Sequence, residues 1–398
     1  MMGLETIKDE LYRCIGCTEC YGRGPHIPFV DGRDTVDSWE CPTLAKMGFV
    51  TYTGKGQQYL AREVAFGKME IDEAIAQVFY SCPTCGICDD ICPRPILETQ
   101  KYMREEIHNR RLDLVPEANR AVDEKIRCTG NFFGGRPDKR GEWAKSMDLP
   151  KRAPVIFFAG CYLSYRTPQT ARLAVKVLQK GGMNVSYLPE ESCCGLHPSW
   201  NGNLELQREL AERNVKAIQE SGAEMVVFSC PSCYKVFKVD YPAILGSIPF
   251  KVAHFVEVID EMVKNNDLKF SSVGNVSFTY HDPCHLTRQH LGRRQALYHA
   301  PRRVLAAIPN LRLQEMKHHE KFSYCCGSGA LVTQTAYPEL TAEMTKVRLS
   351  EVREVAEAVV SACPHCVANF KKEAKKENGL DLAIYDFPEI IAAAVGVQ

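Results

Sequence analysis

Long apolar runs are missing from this 398-residue chain. None approaches the ~18 residues a membrane-spanning helix needs, and the most apolar stretch near the C-terminus, 390–397, is far too short. The first twelve residues are polar and mixed in charge, without the apolar core of a secretory leader. These absences predict a soluble, cytoplasmic protein that meets the cytoplasmic membrane only peripherally, through a partner. Net charge is also lacking: 49 basic residues balance 49 acidic ones and no basic tract stands out, which excludes an electrostatic footprint for nucleic acid. Gly54-Lys55-Gly56 lacks the third glycine and the preceding strand of a dinucleotide fold, so no flavin or nicotinamide site is evident.

What the chain does have is cysteine in spaced groups. Nineteen cysteines in 398 residues fall below the ~8–10% of a disulfide-stapled scaffold, and 45% hydrophobic residues suffice for a core without staples. The thiols are therefore expected to stay reduced and free for metal. Eighteen of the nineteen form four groups, and only Cys128 is left over.

The first two groups are Cys14, Cys17, Cys20 with Cys41-Pro42, and Cys82, Cys85, Cys88 with Cys92-Pro93. The second matches the bacterial ferredoxin run C-x2-C-x2-C-x3-C-P, in which three cysteines wrap one cube and the fourth reaches the neighbouring cluster. In the first, the Cys-Pro is displaced, which is tolerable because that cysteine serves the other cluster. Carrying the pattern over assigns Cys14, Cys17, Cys20 and Cys92 to one [4Fe–4S] cube and Cys82, Cys85, Cys88 and Cys41 to a second. Zinc is the competing occupant, since C-x2-C pairs also suit tetrahedral sites; eight cysteines with two Cys-Pro endings favour cubes.

The other two groups are copies of each other: Cys161, Cys193, Cys194, Cys230, Cys233 and Cys284, Cys325, Cys326, Cys363, Cys366. Matching cysteines are offset by 123, 132, 132, 133 and 133 residues, the mark of an internal duplication. Around them the pattern alternates short apolar runs (155–159, 183–188, 225–228, 276–280, 358–360) with helical ones (167–180, from Asn203, 293–308, 341–352). That alternation predicts two α/β units with mostly parallel sheets, whose strands deliver Cys161, Cys230, Cys284 and Cys363 at their carboxyl ends. The fold class expected is therefore α+β multidomain: a helical two-cluster ferredoxin-like domain at 1–112, a linker with little structure at 113–150, and duplicated α/β units at 151–273 and 274–398. Within the first domain, 59–66 and 71–80 read as short helices, the latter capped by Asp72, and 95–111 as a charged, exposed helix.

Five thiolates exceed the four a single cube needs, and adjacent cysteines do not easily cap separate corners, so a cluster with bridging thiolates is the chemical reading. The proline of Cys230-Pro-Ser-Cys233 and Cys363-Pro-His-Cys366 suits the first turn of a helix, whose N-terminus stabilises thiolate. Cys-Pro-His-Cys alone resembles a thiol–disulfide exchange site; its recurrence beside Cys-Cys-Gly and an upstream cysteine favours metal.

These duplicated Cys-Cys-Gly motifs resemble those of the heterodisulfide reductase family, and the layout resembles a ferredoxin-like subunit fused to a CCG subunit. The resemblance implies two cubane [4Fe–4S] clusters and two noncubane [4Fe–4S] clusters, one of the latter on each five-cysteine set. It implies an enzyme of anaerobic methanogenesis that reduces a small-molecule disulfide, the mixed disulfide of coenzyme M and coenzyme B. Its electrons would come from a partner protein, a membrane b-type cytochrome or a flavoprotein. The alternative is a non-catalytic electron-transfer subunit, as in anaerobic glycerol-3-phosphate dehydrogenase or an acyl-CoA reductase complex.

For the catalytic role the candidates are His281 and His285, which flank Cys284 and titrate near neutrality, and Arg288 for an anionic substrate. Arg293, Arg294, Lys317, His318 and His319 are further basic candidates, each weighed against an exposed surface position. His197 follows the first Cys-Cys-Gly, and Asp282-Pro283 reads as turn chemistry.

Overall fold

The computed structural model describes residues 3–21, 41–92, 94, 98–288, 296–376 and 382–398. Among these, no helix is long and apolar enough to cross a membrane.

Two four-stranded parallel sheets form the C-terminal two-thirds. β1 (Val155–Phe158), β2 (Val185–Ser186), β3 (Met225–Phe228) and β4 (Lys251–His254) make the first, and β5 (Val276–His281), β6 (Leu311–Leu313), β7 (Ala358–Ser361) and β8 (Ala383–Asp386) the second. Their orders, β2-β1-β3-β4 and β6-β5-β7-β8, are the same topology, so the duplication seen in the cysteines extends to the fold. The central strands are largely apolar because helices cover both faces of a parallel sheet. β1 and β7 are buried along their whole length, and each large apolar side chain so buried is worth roughly 1.5–3 kcal/mol.

Taking α-helices of eight residues or more, the N-terminal unit holds α1 (Gly54–Ala65), α2 (Glu73–Tyr80) and α3 (Thr99–Arg110), followed by α4 (Glu117–Thr129). The first sheet carries α5 (Pro168–Lys180), α6 (Leu204–Ser221) and α7 (Phe255–Lys264), and the second carries α8 (His299–Ala306), α9 (Pro338–Val355), α10 (Pro364–Lys376) and α11 (Phe387–Ala394). Asp72 and Asn203 cap α2 and α6 as expected, accepting from the backbone N–H of Ile75 and Leu206.

The two α/β units pack about a pseudo-two-fold axis. The first long helix of each lies on the last of the other, α5 on α11 and α8 on α7. Phe255 and Phe387, which open α7 and α11, meet edge to face at 6.4 Å. Arg303 reaches across to Asp260, and Thr170 to Glu389.

Three expectations are corrected. The stretch 113–150 is not featureless: α4 forms there, and its Asp123 accepts hydrogen bonds from Asn201 and Asn203 of the first α/β unit at 2.7 and 3.2 Å. Helix α3 is not an exposed helix, since Met103, Arg104, Glu105 and Ile107 are buried. Arg104 is tolerated there because it donates to the carbonyls of Phe79, Cys82 and Trp200. Asp282 is not a turn former but a buried partner of Arg302, at 2.7 Å. The helix expected over 293–308 is seen as α8, and its expected start, with Arg293 and Arg294, lies outside the described residues.

Candidate functional site

The two N-terminal cysteine runs share one backbone device. Gly16 and Thr18 in the first, and Thr84 and Gly86 in the second, adopt left-handed φ values of 72°, 74°, 49° and 73°. Each pair flanks the middle cysteine, bending the loop around a common centre, and the two β-branched threonines accept a conformation they ordinarily avoid. The fourth cysteine of each set comes from the other run. Cys20 lies among Cys14, Cys92 and Cys17, whereas Cys41 lies beside Cys85 and Cys82. Gly54, at the start of α1, separates the two sets: a Cβ there would stand 2.7 Å from Cys88 Cβ and 3.4 Å from Cys20 Cβ. Burial pushes the Cys20 thiol up to about 12 and the Cys82 thiol to about 11, so these two sulfurs stay protonated until a cation replaces the proton.

In each α/β unit the five sulfurs converge at the carboxyl ends of the central strands. Contacts link Cys161 to Cys193, Cys193 to Cys194, Cys194 to Cys233 and Cys233 to Cys230. In the second unit they link Cys325 to Cys326, Cys326 to Cys366 and Cys366 to Cys363, with Cys284 facing Cys326 and Cys363. The glycine of each Cys-Cys-Gly is left-handed, φ 85° at Gly195 and 84° at Gly327. That conformation turns its N–H back onto the first sulfur of the pair, 3.5 Å to Cys193 and 3.4 Å to Cys325. All nineteen cysteines are free. Sulfur sets of four, half-buried apart from Cys85, and of five, mostly buried, unlinked by disulfides and donated to by backbone N–H groups, fit iron–sulfur clusters.

Three polar groups at the sulfurs escaped sequence reasoning. Arg140, from the stretch taken as linker, donates to Cys161 Sγ at 3.5 Å and pairs with buried Glu191 at 3.0 Å. Glu191 in turn accepts from the N–H groups of Ala159 and Gly160, setting the turn that presents Cys161. His365, inside Cys-Pro-His-Cys, crosses between units and hydrogen-bonds Cys230. Burial opposes its charged form, but that thiolate contact outweighs it and raises the imidazole above its ordinary value. The only advance signal for any of them was position: Glu191 two residues before Cys193, and His365 between two cysteines.

The proposed catalytic trio separates in space. His281 sits on the second site, bonded to Cys326 and accepting from Arg348 at 3.1 Å, and with Cys326 and Cys366 its ligating atoms lie within 4.8 Å of one another. His285 turns away to Ser232 of the first unit, Nδ1 to Oγ 3.1 Å, and burial pulls it down to about 3. Arg288 donates to the carbonyls of Cys85, Glu320 and Lys321 and so ties the N-terminal unit to the second α/β unit. His318 pairs with Glu351 and His319 with the Met316 carbonyl, while Lys317 is exposed. His197 is held by Asp123 at 2.9 Å, beneath Phe132.

Comparison with known proteins supports this construction. A cysteine-rich (CCG) domain model matches residues 155–238 and 278–371, and a 4Fe-4S dicluster domain model matches 13–96. The chain is 28% identical to one subunit of the dihydromethanophenazine:CoB–CoM heterodisulfide reductase of Methanosarcina barkeri, covering 98% of this chain and 95% of that one. It is 28% identical to one subunit of the fumarate reductase (CoM/CoB) of Methanothermobacter marburgensis, over 98% of this chain and 75% of the relative. To EtfAB:quinone oxidoreductase of Syntrophomonas wolfei it is 27% identical, covering 99% and 60%. Among solved structures, a hypothetical protein from Helicobacter pylori shares the fold with a TM-score of 0.58 at 11% identity, over 86% of this chain and 68% of that one.

Proposed function

The chain belongs to the heterodisulfide reductase family of iron–sulfur proteins, and from that premise we propose that it is the disulfide-reducing subunit of a complex. Cys14, Cys17, Cys20, Cys92 and Cys41, Cys82, Cys85, Cys88 hold two cubane clusters, and the two five-cysteine sets hold two noncubane ones. When bound, these clusters supply one-electron steps and a metal atom for each sulfur of the substrate. The reaction consumes two electrons and two protons: the S–S bond breaks and two thiols leave. Electrons come from a partner protein, a b-type cytochrome or a flavoprotein. The substrate class is the mixed disulfide of two anionic thiols, such as that of coenzyme M and coenzyme B.

One observation carries this reading: the two five-sulfur sites face each other, with Cys230 and Cys363 within electrostatic reach and His365 bridging from one Cys-Pro-x-Cys to the other. A disulfide has two sulfurs to hold, and a pair of matched sites across one interface suits it. His281 and His365, on opposite sites, orient the sulfur ligands that flank the bond.

The test is an anaerobic assay of iron-loaded protein with reduced viologen and the mixed disulfide. Release of both thiols is expected; none, with iron content confirmed, overturns the reading. That outcome would favour an electron-transfer subunit, which the relative named as a quinone oxidoreductase also suggests.

A further inference from the structure

A cavity of about 380 Å³ opens at the seam between the two α/β units, within the size range of small-molecule sites. One wall is a face of α10, with Pro364, Val367, Ala368, Lys371, Lys372 and Lys375 at helical spacing. The other wall includes Tyr162, the residue after Cys161, and Thr170 of α5. Tyr162, beside Cys161, and Pro364, beside Cys363, line its end nearest the sulfurs in sequence, and the Tyr162 ring packs on His365 at 4.9 Å, edge to face.

Two features mark this cavity as a ligand site. Its charge balance is positive: three lysines line it against two carboxyls, Asp386 and Glu389. Glu389 is held by Lys371 at 3.8 Å and Thr170 at 3.3 Å. Burial, then the neighbouring Glu389, pushes the Asp386 carboxyl well above its usual range against the pull of Lys371, with Cys230 acting in the same direction as Glu389. The second feature is that the two carboxyls offer an anion little opposition: Glu389 is already paired, and Asp386 is 2% exposed.

The pseudo-symmetry sharpens the choice. Tyr162 against His365 corresponds to His285 against Ser232, so the duplicated fold has two equivalent approaches to the seam. The second is closed by the N-terminal unit. There Lys235 reaches Glu98 at 3.8 Å, Lys101 reaches Asp240 at 3.5 Å, and Arg288 donates to the Cys85 carbonyl. The approach beside α10 remains open.

We propose that this cavity binds the anionic arm of the substrate, Lys371, Lys372 and Lys375 holding its carboxylate-, sulfonate- or phosphate-type group while the sulfur end passes Tyr162 and Pro364. The sulfur end rests on the disulfide-reducing reading above; the anion site stands by itself.

The full-length, anaerobically iron-loaded protein is titrated by calorimetry with thiodipropionate, a dianionic thioether that cannot be reduced, and with its uncharged diamide. The dianion binds at least about tenfold tighter than the diamide. The double variant Lys372→Gln/Lys375→Gln loses that preference, and Lys372→Arg/Lys375→Arg restores it. Equal binding of the two probes, no binding of the dianion, or an undiminished preference in the glutamine variant overturns the site. Reduction of dithiodipropionate by reduced viologen separates the two claims. Lysine-dependent binding without thiol release by the wild type defeats the reductase reading and leaves the site standing. Thiol release with KM unchanged in the glutamine variant defeats the site and leaves the reductase reading standing.

Discussion

Gly54 shows how little room separates the two N-terminal sulfur sets. Any side chain there would stand 2.7 Å from Cys88 Cβ and 3.2 Å from its sulfur, closer than carbon atoms pack. Relief would have to come from the short helix Ile87–Ile91 that carries Cys88 or from the start of α1, and both hold sulfurs in place. Gly54→Ala is therefore expected to lower iron and labile sulfide per chain and to cost roughly 1–3 kcal/mol of overpacking, with the C-terminal iron retained. Metal analysis together with low-temperature EPR reads this out; wild-type iron content in the variant would show that the short helix yields at no cost. The same crowding explains why a Gly-Lys-Gly triplet without a phosphate-binding role occurs here: Gly54 clears the sulfurs, and Gly56 clears the backbone of Val50 and Thr51.

At the scale of elements, the N-caps of the two pseudo-equivalent helices α7 and α11 differ. His254 caps α7 and Asp386 caps α11, each in a capping box with the glutamate three residues on. His254 accepts from Val256 N–H and its other nitrogen meets the Ser229 carbonyl at 3.2 Å, and burial pulls it from 6.5 to about 3. A histidine held neutral in the fold but free to protonate when unfolded favours folding fully above pH 6.5. That contribution is lost as pH falls toward 3, at up to ~1.4 kcal/mol per pH unit. His254→Asn keeps a capping side chain and removes the titration. The thermal midpoint of the wild type should fall more steeply from pH 7 to pH 5 than that of the variant; parallel profiles would refute the assignment.

Elements also explain what the sequence could and could not reveal. The inner strands β1, β3, β5 and β7 were readable as short runs rich in apolar residues because both faces are covered. The edge strands β4, β6 and β8 were not: they carry Lys251, Arg312 and Tyr385 outward, and offer no such run. Helix α4 was missed because its buried face amounts to Asn119, Val122, Asp123 and Ile126, two of them polar, so its period hides among charges. Cysteine spacing announced every sulfur set, since ligands must recur at short fixed intervals. Arg140 and the reach of His365 to Cys230 depend on how units pack, which no local pattern encodes.

Over the whole molecule the N-terminal unit is joined asymmetrically to a symmetric pair. Cys85 packs with Cys325 in one buried cluster with Ile87, and Arg288 lies between them, its guanidinium near Cys85, Cys284 and Cys325. Under the proposed function, electrons arriving at the N-terminal unit would meet the second α/β site first, and a substrate in the open cavity would lie on the opposite approach, so donor and substrate would not compete for one surface. The junction rests on three backbone carbonyls that a single guanidinium satisfies. Arg288→Met would leave them unpaired, at roughly 1–3 kcal/mol for the buried Cys85 carbonyl, and loosen Cys85 from Cys325. Reduced viologen should still bleach the N-terminal centres of this variant at the wild-type rate, while their reoxidation by disulfide slows and iron content stays constant. Stopped-flow absorbance follows both phases. Unchanged reoxidation would mean that the connection between the units is made elsewhere, through the Cys82 carbonyl and Thr333, which meet at 2.6 Å.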